Sequence, residues 1–549
     1  MSLYEDLKKY VPRTEQLETI QFIKDNLDKK YYLLNLPTGV GKSYLALMIA
    51  DFYSKSIDVT AKVDIITNSK LLQEQYTNTF NSIRDLRGKE NYTCSKYSCS
   101  CLTGKEFARL NKTKCDSCPY DNARNAFFGG KVSLTNFHLY IIYAIYSPKS
   151  LNDRAADILI IDEAHEFDEL VSSFISIKVT EFSIRKCKFS NEYDLIKQLK
   201  FVKTINDYVE FLKVYKNEIE NTILEIDNTL LSEERNVKLD RRKNRLGSLL
   251  KSTTSDVKRM QIVSDLSQLK SKIEVFLNEY ELNKDNWVLE SFFNEKSKQY
   301  ELSLEPIWAH DYMDKYVFSR YKKVFFMSGT ILDEKIFSEL NGLDPDKTCY
   351  HSINSPFDAK NRPIYYIPIG KMSYQKKEET FKKYKAYIPK LLSKYNDKRG
   401  IIHTNSFELS NWIKRDIKDT RLLFHDSSDK IDMLMEHFDD TLSNSVIVSP
   451  SMGTGVSFDD EKARFQIISK IPYPSLASKK NKMRKDQNPN WYSYSTISGL
   501  IQIYGRIVRS HDDYGDTIII DESFSDILKY SSKLVPIWIQ DAIKKINVR

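Results

Sequence analysis

Three groups of residues in this chain have types and spacings that do chemistry. Pro37-Thr38-Gly39-Val40-Gly41-Lys42-Ser43 is a glycine-bearing run ending in a lysine and a hydroxyl. In such a run backbone N–H groups close around phosphate, the lysine reaches the outer phosphate oxygens, and the hydroxyl binds Mg²⁺. Asp162-Glu163-Ala164-His165 places two carboxylates side by side. Asp162 suits a magnesium ion held through water, and Glu163 suits orientation or deprotonation of an attacking water. Gln502-Ile503-Tyr504-Gly505-Arg506-Ile507-Val508-Arg509 carries two arginines at i and i+3, a spacing that predicts one helix face. Two guanidiniums there would reach a terminal phosphate across a cleft. Together these groups read as a site that binds and hydrolyses ATP with Mg²⁺. Its ATP contacts would be Thr38, Gly39, Val40, Gly41, Lys42, Ser43, Gln502, Gly505, Arg506 and Arg509.

A fourth group is cysteine. The chain has 7, and Cys94, Cys99, Cys101, Cys115 and Cys118 fall in one stretch between the phosphate loop and the acidic box. Four thiolates hold either a [4Fe–4S] cluster or one zinc ion, and spacing does not separate the two. Cys115 and Cys118 form a C-x₂-C clip. Cys99 and Cys101 alternate along the chain, so an extended backbone would point them opposite ways; Cys101 is taken as the ligand, with Cys99 the alternative. Cys187 and Cys349 stand alone and read as ordinary thiols.

These residues need a rigid frame. Short runs rich in isoleucine, valine and tyrosine predict buried parallel strands over 31–36, 63–67, 132–135, 158–162 and 324–328. A second series covers 400–404, 421–424, 446–449, 465–469 and 517–521. The expected fold is therefore α/β, with two parallel sheets faced by helices. Asp162 and Glu163 end a predicted strand, on the edge where open α/β sheets bind ligands. Residues 172–305 differ: they are charged, poor in glycine and proline, and carry Ile219, Ile223 and Ile226 at helical spacing. They predict a mostly helical insertion. The chain has 549 residues and a formal net charge of +8. That mild excess is compatible with a polyanionic partner. The charged start of the chain is unlike a signal peptide, and the apolar run 137–146 is roughly half a membrane span. A soluble protein of a reducing, cytoplasmic compartment is expected, where clustered cysteines are metal ligands more often than disulfides.

With these groups in order, the chain resembles the iron–sulfur helicases of superfamily 2, the XPD/DinG family. Val11-Pro12-Arg13-Thr14-Glu15-Gln16 is similar to that family's adenine-sensing Q motif, with Gln16 as the reader. Leu86 to Cys94 resembles the entry to its cluster domain, and Cys118 to Arg124 the exit. Met327-Ser328-Gly329-Thr330 resembles motif III. Asn354-Ser355-Pro356-Phe357, His403-Thr404-Asn405-Ser406 and Lys470-Ile471-Pro472-Tyr473-Pro474 resemble signatures of the second lobe. Motif V departs from the family: Thr454 and Ser457 stand where an acidic pattern is usual.

The resemblance implies two RecA-like motor domains, an iron–sulfur domain and an Arch-like insertion. The implied boundaries are 1–85, 129–171 and 306–345 for the first motor domain, 86–128 for the cluster, 172–305 for the insertion and 346–549 for the second motor domain. It implies an ATP-dependent helicase that moves 5′ to 3′ on single-stranded DNA and opens forked duplexes in repair, replication or recombination. It would act as a monomer on DNA in a bacterial or phage-infected cell. It also favours iron–sulfur over zinc, with Cys94 and Cys118 as outer ligands. Thr67, Asn68, Asn136, His138, Thr404 and Asn405 are the candidate DNA contacts, with Tyr92, Phe137 and Tyr140 as stacking platforms. An ATP-gated clamp on single-stranded DNA with little unwinding, or an RNA helicase, would use the same residues.

Overall fold

The computed structural model describes residues 3–110, 113, 115, 117–187, 189–240, 246–294, 299–425, 430–439, 444–452 and 458–546. Its strands, in chain order, are β1 (Tyr31–Asn35), β2 (Val63–Thr67), β3 (Arg84–Leu86), β4 (Val132–Asn136), β5 (Ile158–Asp162), β6 (Ile177–Thr180), β7 (Trp287–Asn294), β8 (Gln299–Pro306) and β9 (Lys323–Ser328). They continue as β10 (Thr348–Ser352), β11 (Ile364–Gly370), β12 (Gly400–His403), β13 (Leu422–Phe424), β14 (Val446–Ser449), β15 (Phe465–Ile468), β16 (Asp516–Asp521) and β17 (Ile543–Lys545). One seven-stranded sheet has the order β10-β1-β9-β5-β2-β4-β3, and a second has the order β13-β14-β12-β15-β16-β11-β17. Every pairing within both is parallel. β1, β2 and β5 are buried along their whole length, as parallel strands between helical layers must be. This is the α/β architecture expected, with two RecA-like lobes.

The order of the first sheet sets up the chemistry. β9 lies between β1 and β5, so Asn35 pairs with Ser328 and Asp162 with Met327. The loop after β1, the acidic box after β5 and Ser328 at the end of β9 therefore meet at one carboxyl edge.

The structure differs from the sequence reading in three places. β10 pairs with β1, so the first sheet runs to Ser352 and a boundary at 345/346 would cut a strand from its own lobe. β11 is a strand outside the predicted series; it carries Pro368, and its register with β16 breaks between Tyr366 and Gly370, around the proline. The insertion is not helices alone. Beside the long helices Ile205–Asp240 and Leu246–Leu282 it holds an antiparallel sheet of order β6-β8-β7. β8 alternates in burial along one face, a period-two signal hidden within charged sequence.

Two buried arginines tie these parts together. Arg484, on the second-lobe helix Lys479–Gln487, is fully buried between Trp308 and Trp491. It pairs with Asp168 at 3.2 Å and with Glu169, both on the helix that follows the acidic box. Lys480 beside it reaches Glu169 at 3.0 Å and Ser172 at 2.7 Å. Within the first lobe Arg154 is 2% exposed. It donates to Asp64 at 2.5 Å and to the carbonyls of Phe127, Gly130 and Val63 at 2.9, 2.8 and 3.2 Å. Tyr321 donates to the other oxygen of Asp64 at 2.8 Å. Removing one partner of a buried pair leaves an uncompensated charge, so Arg154→Ala is expected to destabilise the first lobe by about 3–5 kcal/mol. Urea denaturation would read this, and a shift below about 1 kcal/mol would contradict it.

Candidate active site

The phosphate loop begins where β1 ends and closes at the helix Lys42–Ser56. Gly39 and Gly41 both have positive φ, +93° and +81°, a backbone state that L side chains rarely adopt. Gly41 caps the helix in this state, so the helix amino terminus and its free N–H groups face the cleft. Gln16 is fully buried behind the loop. Its Nε2 donates to Val40 O and Gly41 O, both at 3.1 Å, and its Oε1 accepts from Arg13 N at 3.0 Å and Tyr10 OH at 2.9 Å.

The acidic box stands opposite. Lys42 Nζ lies 3.0 Å from Glu163 Oε1. Asp162 accepts from the Glu163 N–H at 3.0 Å and from Tyr76 OH at 3.0 Å. Tyr76 also interacts with Ser43, so one buried phenol touches both residues suited to magnesium. Burial, then the neighbouring Glu163, raises the Asp162 carboxyl to about 6. Burial acts on Glu163 in the same direction, but Lys42 and then His165 overcome it and bring it to about 2. Glu163 sits in the left-handed region at φ +56°, a strained setting for a side chain of this kind.

A hydrogen-bonded chain leaves the box toward the second lobe. His165 Nδ1 lies 3.5 Å from Glu163 and 2.8 Å from Ser328 Oγ. Ser328 Oγ lies 3.1 Å from Thr330 Oγ1, which accepts from Gln502 Nε2 of the second lobe at 3.5 Å. Tyr494 OH donates to Thr330 O at 2.8 Å. The arginines arrive differently from the expected helix face. The helix Pro489–Tyr504 ends before them, and Arg506 and Arg509 lie in the irregular segment after Gly505. The β-branched pair Ile507 and Val508 is buried in this segment and packs into the second-lobe core between them. Both arginines still line the cleft. Burial, then Arg509, lowers Arg506 to about 10, and burial lowers Arg509. Arg509 Nε has no acceptor among the described residues.

The cleft has a volume of about 540 Å³ and is lined by Thr38, Gly39, Gly41, Lys42 and Ser43, by Asp162 and Glu163, and by Gln502, Gly505, Arg506 and Arg509. A family model described as type III restriction enzyme, res subunit, matches residues 9–190, and one described as helicase C-terminal domain matches 388–542. A probable ATP-dependent helicase of Methanocaldococcus jannaschii is 20% identical, covering 91% of this chain and 89% of that protein. The general transcription and DNA repair factor IIH helicase subunit XPD of Schizosaccharomyces pombe is 22% identical over 78% of this chain and 67% of its own length. Among solved structures, an XPD helicase superposes with a TM-score of 0.64 at 15% identity, covering 98% of this chain and 99% of that one. In sequence the chain is thus similar to proteins described as helicases, and its fold is that of XPD. A solved structure of S. tokodaii Xpd4 has the same fold, with a TM-score of 0.57 at 13% identity over 97% of this chain and 100% of that one.

Several residues singled out from the sequence sit elsewhere than expected. Gln16 and Val40 are buried and do not line the cleft. Asn68 lines it, donating to Glu166 at 2.8 Å. The side chains of Thr67 and Thr404 are buried, and Thr404 Oγ1 bonds Ser410 at 2.8 Å. Asn136 caps the helix Phe137–Tyr146, accepting from Leu139 N at 2.9 Å, and Asn405 donates to Lys470 O at 2.5 Å. His138 is exposed, edge-on to Phe174. Phe137 and Tyr140 belong to the core. The altered motif V, with Thr454 and Ser457, lies outside the described residues. Among the described residues no helix is long and apolar enough to cross a membrane.

Sequence reasoning missed Tyr76, whose only signal is its place on the helix after β2. The cysteines form two close pairs. Cys94 Sγ and Cys115 Sγ are 3.8 Å apart, and Cys101 interacts with Cys118. Cys94, Cys101 and Cys118 are buried. A Cβ on Gly104 would lie 2.6 Å from Cys94 Sγ and 3.7 Å from Cys99 Sγ, so the sulfurs occupy the room a side chain would need. Among the described residues, however, no three His, Cys, Asp or Glu side chains form a ready metal-ligand group.

The site separates binding from turnover. Lys42→Ala is expected to weaken Mg·ADP binding at least tenfold, because the lysine meets phosphates common to ADP and ATP. Arg509→Ala is expected to leave that affinity within about threefold while lowering phosphate release about a thousandfold. Calorimetry with ADP and a steady-state phosphate assay check the two arms.

Proposed function

We propose that the protein is an ATP-driven motor that moves 5′ to 3′ along single-stranded DNA and opens duplexes. One observation carries this reading: the cleft joins a phosphate loop and acidic pair from one lobe to two arginines from the other, and His165, Ser328, Thr330 and Gln502 bridge them. The relatives described as helicases support the choice of motor, and the DNA repair factor subunit XPD supports DNA as its track.

In this reading the triphosphate enters between Lys42 and the two arginines. Ser43 and Asp162 would hold Mg²⁺, which draws charge from the β- and γ-phosphates. Lys42 now meets phosphate as well as Glu163, so Glu163 is less completely neutralised and becomes a better base. Glu163 orients the attacking water and takes its proton. Arg506 and Arg509 meet the charge that develops on the γ-phosphoryl oxygens. Loss of that phosphate removes what held the arginines against the first lobe. Ser328, Thr330 and Gln502 carry the change across the cleft, and the lobes part by one step along the strand.

The cysteine segment suits a [4Fe–4S] cluster by the chemistry of its donors: it carries two close thiol pairs, three of whose four members are buried, with Gly104 leaving space for the sulfurs. Cys94, Cys101, Cys115 and Cys118 would hold it, and the cluster would stiffen a segment too small for a core of its own.

Two measurements test the proposal. Wild-type protein should displace a strand from forked DNA with a 5′ tail, and Glu163→Gln should bind ATP yet release phosphate at least a hundredfold more slowly. Stronger stimulation of hydrolysis by RNA than by DNA of equal length would instead make it an RNA motor. Anaerobic purification should yield a brown protein with about four irons and matching sulfide per chain. One zinc without sulfide would replace the cluster with a structural zinc.

A further inference from the structure

Six of the ten largely exposed aromatic side chains among the described residues lie in the insertion, between Phe182 and Tyr300. Exposed rings gathered in one region mark a binding surface, whereas rings scattered singly do not. Four of the six share a surface with lysines. The helix Glu192–Phe201 buries Leu195, Ile196 and Leu199. Its opposite face carries Tyr193, Lys197, Lys200 and Phe201, at i, i+4, i+7 and i+8. Tyr193 is 79% exposed and Phe201 67%. Lys197 stands between the two rings, one helical turn from each.

The antiparallel sheet brings two more rings to these lysines. Phe293 of β7 lies directly opposite Tyr300 of β8, in the row where Leu289 pairs with Leu304 and Ser291 with Leu302. Leu302 and Leu304 are buried, but Phe293 and Tyr300 are exposed, so the apolar face of the sheet runs out past the core. The two ring centroids are 5.1 Å apart, with planes tilted by 55°. Lys200 Nζ lies 5.8 Å from the Tyr300 centroid. Its partner Glu181, 3.2 Å away, is buried and also accepts from Tyr300 N at 3.2 Å. Arg185 approaches the other oxygen of Glu181 at 3.8 Å and meets Glu192 at 3.1 Å. From Glu181 to Lys203 the chain carries six Lys or Arg against three Asp or Glu. One of those three acids is the buried Glu181, so the surface turned to solvent is positive.

We infer that this face of the insertion is a second nucleic-acid site. Successive bases of a single strand stack on Tyr193, Phe201, Phe293 and Tyr300, and Lys197 and Lys200 meet the phosphates between them. Every base has a π-face, so such a surface takes any sequence, and DNA or RNA alike. A protein partner fits less well. The centre of a protein interface is depleted of lysine, and here two lysines stand among the rings. The site lies apart from the ATP cleft. β8 leads from Tyr300 to Pro306, where the chain returns to the first lobe, a span of about 20 Å. It also lies apart from the junction with the cysteine segment. That segment meets the long helix Leu246–Leu282, whereas Glu192–Phe201 packs on the other long helix, Ile205–Asp240. A strand held here is held by the insertion and not by the motor lobes. The choice of nucleic acid rests on the motor reading above; the position of the site rests on the rings and lysines.

The test uses the full chain with oligo(dT) and oligo(U) strands of about 30 nucleotides. Anisotropy reads binding, iodinated pyrimidines in the same strands read contact by photocrosslinking, and phosphate release reads the motor. Crosslinked peptides should include those carrying Tyr193 or Phe201 and those carrying Phe293 or Tyr300. Tyr193→Ala and Tyr300→Ala should each weaken both strands about fivefold, while Tyr193→Phe and Tyr300→Phe should stay within about twofold of wild type. Lys197→Gln combined with Lys200→Gln should flatten the slope of log affinity against log salt by about 1.4. Hydrolysis at saturating strand should remain within about twofold of wild type in all of these, because none lines the ATP cleft. The inference is overturned if the alanine variants, folded by circular dichroism, bind both strands like wild type. It is equally overturned if crosslinks map only to the motor lobes, or if the loss is confined to one of the two strands. A wild type that binds neither strand, and whose hydrolysis neither stimulates, would overturn the motor reading itself.

Discussion

The ion pair between Lys42 and Glu163 is the constraint from which the rest of the site follows. A phosphoryl-transfer site needs a fixed cation and a fixed carboxylate within a few ångströms, both drawn partly out of water. Neither tolerates that position alone, because an unpaired buried charge costs several kcal/mol. Here each neutralises the other at 3.0 Å. The arginines from the second lobe are less well matched. Burial, then repulsion from Arg509, lowers Arg506 to about 10, against the pull of Glu163 and Glu166. Burial likewise acts against the charged form of Arg509. Two guanidiniums destabilised in this way want a multiply charged anion, and a triphosphate supplies it while also drawing on Lys42.

The strand order makes the pair consequential. Because β9 lies between β1 and β5, the residue after either catalytic strand has Ser328 as a neighbour, and Ser328 touches His165 and Thr330. The acidic box is also held from its other end. The helix Phe167–Ile175 starts two residues after His165, and its Asp168 and Glu169 grip the buried Arg484 of the second lobe. Buried ion pairs are weak evidence of stability but strong determinants of geometry, since few arrangements satisfy them. Arg484 between Trp308 and Trp491 is therefore a fixed point between the lobes.

Much of this was legible in the residues, and what was not had physical reasons. Fully buried parallel strands are continuous apolar runs, so the central strands and the position of Asp162 were readable. β3 and β10 are short edge strands with polar residues, and their strand character comes from pairing with β4 and β1. The arginine spacing was readable but its geometry was not: i and i+3 signify a shared face only while the helix lasts, and this helix stops at Tyr504. Gln16 shows the limit of motif reasoning most clearly. Its type and position matched a base reader, yet an amide has only so many bonds, and the loop carbonyls and Tyr10 take them.

The cysteine segment follows the same logic of fixing something small to something large. Ser98 adopts the left-handed conformation at φ +51°, and the turn returns Cys101 N–H to Tyr92 O at 2.7 Å. That places Cys94 and Cys101 on neighbouring backbone, where Cys94 meets Cys115 and Cys101 meets Cys118. A stretch this short cannot bury enough apolar surface to order itself, so cross-linking and anchorage must do so. Anchorage is visible at both ends. The helix Pro119–Gly129 ends on carbonyls held by Arg154, which binds Asp64 in the central sheet. The helix Cys101–Leu110 packs against Leu246–Leu282 of the insertion. The segment is thus fixed at both ends, to the central sheet through Arg154 and to the insertion through its helix, with its thiols in two pairs between them.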